Sequence, residues 1–346
     1  MEIHIAQRTV GPDQPVLVIA EIGVNHDGSL DRALALVEHA RAAGADAVKL
    51  QIYTATSLMH PSGGLAEYQK TPSTDDSPIA MLQRYEIDSE QRRTIVAAIR
   101  AKGLSPIATP FSPGDVPELE RLGLPAVKIA SPDLVNPVLL KRVAALGKPM
   151  LLSVGTATME EIRRTAEWLH AWNATYALLH CISCYPTPTD QAHLGWISEL
   201  ARSFPVPVGY SDHTTDEWAG GLAVAAGACL IEKHLTWDRT APGPDHSASA
   251  DPQQFARYVA NVRRAESLRG AGSKRVLEIE EDVRLVSRQS LVLVRDLPQG
   301  HLLQEADLTV QRPGTGIPAA EIDKVIGRKL SQPLTAGAML QWTLCT

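Results

Sequence analysis

Two neighbouring stretches, Pro207-Val-Gly-Tyr-Ser-Asp-His-Thr214 and Cys229-Leu-Ile-Glu-Lys-His-Leu-Thr236, decide the reading of this chain. Each is a short apolar run that ends in acids and histidines. A buried strand needs only a turn residue to end. Asp212, His213, Glu232 and His234 at two successive ends predict strand tips that meet at one polar site. Glu232 and His234 are two residues apart, so in a strand they share a face. Neighbouring strands lie about 5 Å apart, close enough for their tips to share a rim.

Six similar runs lie upstream: Val16–Ala20, Ala47–Gln51, Leu104–Ala108, Ala126–Ala130, Pro149–Ser153 and Tyr176–His180. Amphipathic segments separate them. Ser112-Pro113 and Asn136-Pro137 read as an N-cap followed by proline at the first helical position. Thr158-Met-Glu-Glu161 reads as a capping box, and Asp251-Pro-Gln-Gln254 combines both devices. Gly44, Gly103, Gly123, Gly147 and Gly227 stand where helices close. Eight strand–helix units before about residue 270 predict an α/β fold, a (β/α)8 TIM barrel, over residues 1–270. No G-x-G-x-x-G follows the first run, which argues against a nucleotide-binding open sheet.

Polar residues collect at the carboxyl ends of these runs: Glu21, Lys49, Gln51, Lys128, Ser131, Ser153, His180, Ser211, Asp212, His213, Glu232 and His234. In such barrels that face carries the active site. His213 and His234 are placed to share a divalent cation with Glu232 beside them; two hydrogen-bonded rim histidines are the alternative. Lys49 and Lys128 interrupt apolar strands, and a buried ammonium needs an anion. That anion is either a protein carboxylate or a ligand held together with Ser131, Ser153 and Ser211. Glu21, Asp133 and Glu232 could supply acid or base. Asn25-His-Asp-Gly28 fits turn chemistry, and a direct role for it stays open. The long polar segment from Thr54 to Asp76 suits a lid or a disordered insertion.

The composition fits a soluble protein: 346 residues, 44% hydrophobic and 21% charged, with a net charge of -6. There is no basic run to follow a nucleic-acid backbone and no apolar stretch near the ~20 residues of a membrane span. The N-terminus lacks a signal-peptide pattern. Four cysteines suit a reducing, cytoplasmic setting better than a disulfide scaffold. Cys181-Ile-Ser-Cys184 has redox spacing, yet it closes an apolar run rather than opening a helix, so packed or site-lining thiols are expected.

From Gly270 the pattern changes. A linker over 271–286 includes a short charged helix from Glu278 to Leu285. A small β domain over 287–346 carries an internal echo, Asp296–Gln304 against Gln332–Gln341, with Arg312-Pro-Gly-Thr-Gly-Ile317 between the two copies.

In order along the chain, Ala20-Glu-Ile-Gly-Val-Asn-His26, Ala45-Asp-Ala-Val-Lys-Leu-Gln51, Thr109-Pro-Phe111, Lys128-Ile-Ala-Ser131, His180-Cys-Ile-Ser-Cys-Tyr-Pro186, Gly209-Tyr-Ser-Asp-His-Thr214, Ile231-Glu-Lys-His234, Pro242-Gly-Pro-Asp-His246 and Arg312-Pro-Gly-Thr-Gly316 resemble the sialic acid synthases. The resemblance implies an antifreeze-like (SAF, β-clip) C-terminal domain. It implies condensation of phosphoenolpyruvate with the open-chain aldehyde of an N-acylated amino sugar, with phosphate as the second product. It implies Mn2+ or Mg2+ on His213 and His234. Lys49, Gln51, Lys128, Ser131, Ser153, Tyr185 and Ser211 would line the substrates. Glu21, Asp133, Glu232 and Asp245 would act as catalytic carboxylates. Arg312 would reach the acyl group from the other subunit of a domain-swapped homodimer. Ser131-Pro-Asp133, Ser153-Val-Gly-Thr156 and Cys184 depart from the pattern of many members, all near the sugar. Glu67-Tyr-Gln-Lys70 is closer to the sialic and legionaminic branches than to the pseudaminic one. The competing readings are a sugar-acid binding protein that lost catalysis, and a phosphoenolpyruvate-dependent synthase for a simple aldose phosphate.

Overall fold

The computed structural model describes residues 2–60, 77–270 and 272–346. The lid segment expected over 54–76 falls outside these residues from position 61 onward, as does the Glu67-Tyr-Gln-Lys70 motif. The chain divides into two compact units, Met1–Ala271 and Gly272–Thr346.

The first unit opens with a hairpin, β1 (Ile3–Ile5) against β2 (Arg8–Val10). Eight parallel strands follow: β3 (Leu17–Glu21), β4 (Ala47–Ile52), β5 (Ser105–Pro110), β6 (Ala126–Ile129), β7 (Met150–Ser153), β8 (Tyr176–Cys181), β9 (Val208–Asp212) and β10 (Leu230–His234). They close into a barrel in chain order, with β10 pairing β3. All eight apolar runs are therefore strands, and the barrel is the expected one.

Strand alternation sorts the side chains. Leu17, Ile19, Ala47, Ile107, Ala126, Leu151, Ala177, Leu179 and Leu230 form one buried interior cluster. Ile3, Ile5 and Val10 of the hairpin join that cluster and plug the amino-terminal end of the barrel. Cutting a fully buried member such as Ile19 to alanine costs roughly 2–5 kcal/mol, because the packed interior cannot close over the void. The outward residues, among them Val18, Val48, Leu50 and Leu152, pack against the helices in a second cluster.

Most helix ends follow the local capping signals. Asn136 caps Pro137–Ala144 by accepting from Leu139 N. Thr158 and Glu161 form the capping box of Met159–Ala171, and Asp251 with Gln254 that of Pro252–Arg269. Gly44, just past the helix Leu30–Ala42, has φ of 83°, the left-handed region that a Cβ disfavours. Ser112 is a correction. The helix there begins at Val116, after Asp115, and Ser112 donates from both N and Oγ to Asp115 Oδ2. A carboxylate that can take several donors at once builds a turn at Ser112 and delays the helix.

In the second unit, β11 (Ser290–Leu293) pairs β12 (Leu308–Gln311), and Leu291, Leu293, Leu303, Ile317, Leu330 and Leu340 share a small core. The sequence echo is a structural echo: Leu297 pairs Leu334 across the two copies, each followed by a glycine of positive φ, Gly300 and Gly337. The charged segment before it is a turn of 3-10 helix, Glu278–Glu280, leading into the helix Glu281–Ser287.

Candidate active site

One step beyond the apolar layer, the same inward alternation presents Glu21, Lys49, Thr109, Lys128, Ser153, Cys181, Ser211 and Glu232, all buried. Most of these line a cavity of about 690 Å3 at the carboxyl end of the barrel, together with Gln51, Ser131, Asp133, Tyr185, His213, His234 and Asp245. Glu21 sits behind it, hydrogen-bonded to Gln51 Nε2 at 3.3 Å. Gly23 N donates to Glu21 Oε1 at 2.8 Å, and a Cβ at Gly23 would stand 2.2 Å from that oxygen, so the close approach requires glycine. Thirteen of the fourteen expected site residues thus belong to one place in the first unit: Glu21, Lys49, Gln51, Lys128, Ser131, Asp133, Ser153, Tyr185, Ser211, His213, Glu232, His234 and Asp245. Arg312 belongs to the second unit, exposed after β12.

The two lysines have different partners. Lys49 Nζ lies 2.6 Å from Glu21 Oε2 and donates to Thr109 Oγ1 at 3.1 Å. Burial works against its charge, but the carboxylates of Glu21 and Glu232 outweigh it and raise its pKa. Lys128 Nζ instead donates to Ser153 Oγ at 2.6 Å and to Ile129 O at 2.9 Å. Among the described residues its closest carboxylate contact is Glu232 Oε1 at 4.0 Å, and burial leaves its pKa below the ordinary lysine value. Ser153 Oγ is in turn 2.7 Å from Ser211 Oγ. Ser131 Oγ accepts from Gly155 N at 3.1 Å. These donors converge on one wall, the arrangement that binds a phosphate or carboxylate.

The histidines form the facing wall. Their ring centroids are 5.4 Å apart, and the Tyr185 ring lies 3.9 Å from that of His213. His213 Nδ1 is 2.8 Å from Ile182 O, which can only accept, so Nδ1 donates; burial opposes the ring's charge, but Cys181, the Ile182 carbonyl and Glu232 outweigh it and raise its pKa. His234 Nδ1 is buried without a hydrogen bond among the described residues and stands 3.4 Å from Asp245 Oδ2. Burial, then the charges of His213 and the nearby lysines, hold His234 well below its ordinary pKa, so it is neutral. Burial and the Glu21 carboxylate push Asp245 up to about 7. Burial also raises Asp133, which accepts from Asn136 Nδ2 at 3.0 Å. Among the described residues no three His, Cys, Asp or Glu side chains gather as a full ligand set. The neutral His234, with its orphaned nitrogen, beside the His213 ring nevertheless fits a cation that takes its other ligands from substrate and water.

Two rim residues expected from the sequence point elsewhere. Asp212 faces outward from β9 and pairs with Lys233 at 3.2 Å, with Tyr210 OH 3.2 Å away. His180 faces outward from β8 and bonds to Ala192 O at 2.8 Å. Each is one position out of phase with the inward set. Thr109 is not among the expected site residues, and Cys181 is expected only as a packed or site-lining thiol. Cys181 Sγ lies 3.4 Å from Ser131 Oγ and 3.8 Å from His213 Nδ1, and strand parity was the signal that would have found both.

The chain thus joins a barrel with a cationic, hydroxyl-lined mouth to a second, small β unit. Residues 36–274 match the NeuB family and residues 288–344 match the SAF domain. The chain is 37% identical over 338 residues to the N,N'-diacetyllegionaminic acid synthase of Legionella pneumophila, spanning 96% of this chain and 95% of that protein. It is 31% identical over 331 residues to the N-acetylneuraminate-9-phosphate synthase of Homo sapiens, spanning 93% and 90%. The crystal structure of the N-acetylneuraminic acid (sialic acid) synthetase from Leptospira borgpetersenii superposes with a TM-score of 0.74 at 32% identity, covering 82% of this chain and 95% of that one. The chain belongs to the NeuB family of sialic acid synthases and is an enzyme, a phosphoenolpyruvate-dependent nonulosonic acid synthase. Among the described residues no helix is long and apolar enough to cross a membrane.

Proposed function

We propose that the cavity joins phosphoenolpyruvate to the open-chain aldehyde of an N-acylated amino sugar, either N-acetylmannosamine or a 2,4-diacetamido sugar. The products are a nine-carbon 2-keto sugar acid of the sialic or legionaminic type and phosphate. The observation that carries this reading is the chain from Lys128 through Ser153 to Ser211, with links of 2.6 and 2.7 Å and the Glu232 carboxylate 4.0 Å from the ammonium. A buried ammonium held by a hydroxyl and a carbonyl, with its nearest carboxylate 4.0 Å away, is stabilised by an incoming anion.

In this reading Lys128, Ser131, Ser153 and Ser211 bind the phosphate and carboxylate of phosphoenolpyruvate, with Lys49 completing the cationic wall. C3 of the enol attacks the aldehyde carbon, water adds at C2, and the tetrahedral intermediate loses phosphate by C–O cleavage. Glu21, steadied by Gln51 and Lys49, and Asp133, steadied by Asn136, contact sugar hydroxyls or move protons. Glu232 and Asp245 orient the attacking water, and Tyr185 packs the imidazoles in place. His213 and His234 would hold a divalent cation, Mn2+ or Mg2+, which when bound polarises the aldehyde oxygen as a Lewis acid. Arg312 donates to the acyl oxygen across a domain-swapped homodimer.

Phosphate release with a panel of acceptors tests the proposal. N-acetylmannosamine or a 2,4-diacetamido hexose should support release, and a simple aldose phosphate should not. Release with the aldose phosphate alone would reverse the assignment.

A further inference from the structure

The turn at residues 24–28, after β3, faces the loop at residues 235–251, after β10. Two side chains of the turn reach across this seam. Asn25, fully buried, donates from Nδ2 to Leu235 O at 3.0 Å and to Ser249 Oγ at 2.8 Å. Ser249 Oγ donates in turn to the backbone oxygen of Asp245 at 2.6 Å. Asp27 works from the other side. Its Oδ1 is 2.9 Å from Nε2 of the buried His246, whose Nδ1 is 2.7 Å from Thr236 Oγ1. Its Oδ2 accepts from Trp237 Nε1 at 3.0 Å and from Arg32 Nη1 at 2.6 Å. The Arg32 guanidinium lies 4.5 Å over the Trp237 ring.

Asp245 is therefore held at two points, through its own carbonyl and through the residue that follows it. Both ties begin in the turn that follows β3, the strand that closes the barrel against β10. Asn25 and Asp27 are not among the residues lining the cavity, yet they anchor the loop that brings Asp245 Oδ2 to 3.4 Å from His234.

We propose that Asn25 and Asp27 are positioning residues: through Ser249 and His246 they clasp the last barrel loop and so set the Asp245 carboxyl beside His234. The proposal rests on the role given to Asp245 above. A carboxyl displaced by about 1 Å from its working position costs on the order of 100-fold in rate, so the clasp has a kinetic signature.

Asp27→Ala and His246→Gln test it, with two readouts. Amide exchange over residues 236–250 should quicken roughly tenfold or more, with the barrel strands unchanged. The kcat should fall about tenfold or more while the KM for phosphoenolpyruvate stays within about twofold. Adding Asp27→Ala to Asp245→Asn should cost less than about twofold further, because both act through one group. A loop that exchanges as in the wild type, a loosened loop with wild-type kcat, or a fully additive double variant overturns the proposal. A wild-type enzyme inactive on every N-acyl sugar contradicts the function assigned above, and the exchange measurement still decides whether the clasp exists.

Discussion

Lys49 sets its ammonium 2.6 Å from the Glu21 carboxylate, both of them buried on adjacent strands at the mouth of the barrel. This lysine finds an anion inside the protein, while Lys128 is held by hydroxyl and carbonyl oxygens. The two should respond differently to loss of charge. Lys49→Met leaves Glu21 uncompensated and should cost about 3–5 kcal/mol of stability, most of it regained in the Glu21→Gln, Lys49→Met double variant. Lys128→Met should keep more of its stability and raise the KM for phosphoenolpyruvate about tenfold or more, the worth of a charged hydrogen bond. Denaturant unfolding and steady-state kinetics read the two effects. An unchanged KM in Lys128→Met would contradict the anion wall.

Chelation should abolish turnover, and Mn2+ or Mg2+ should restore it. The neutral His234, with an orphaned buried Nδ1, and the His213 ring beside it, with Nδ1 bonded to Ile182 O, are the basis. His213→Ala should bind Mn2+ at least about tenfold more weakly by calorimetry, the scale expected for disturbing a metal site. Full activity in excess EDTA would remove the metal from the account.

Acid should loosen the C-terminal unit through Asp307. Burial opposes its charge, but hydrogen bonds from His301 at 2.8 Å, Arg295 at 2.8 Å and Gln304 N at 3.0 Å hold its pKa down at about 2. A carboxyl depressed in the native state adds stability above its unfolded pKa. That stability is lost as pH falls from about 4 to about 2. Amide exchange in β11 and β12 should quicken across this window in the wild type and show a flatter response in Asp307→Asn. Identical pH profiles would contradict the assignment.

Arg312 should act on the partner's cavity. Inactive His213→Ala chains mixed with Arg312→Ala chains should regain activity as dimers exchange. One site of each mixed dimer then carries both defects and the other neither. Mixed dimers confirmed by mass that recover no activity would refute the swapped arrangement.

Much of this was legible because inward and outward parity writes itself into the chain. Eight strands buried on both faces give eight short apolar runs, and their polar successors mark the mouth. Parity is also where the reading slipped. Asp212 and His180 look like their neighbours Ser211 and Cys181, and only the register shows that they face the helices. The plug formed by β1 and β2 went unread, because three-residue strands are too short to show a period. Ser112-Pro113 has the residue types of a cap, but Asp115, three residues on, is a competing acceptor that makes a turn there instead. The echo of the second unit survived translation because its turns repeat the same glycine requirement at Gly300 and Gly337.

The most direct measurement follows the bridging oxygen of phosphoenolpyruvate. With 18O between C2 and phosphorus, and an N-acyl amino sugar as acceptor, C–O cleavage predicts inorganic phosphate that carries the label and a nine-carbon keto acid that does not. Phosphate without the label, or no phosphate with any N-acyl amino sugar, would contradict the reaction assigned to this cavity.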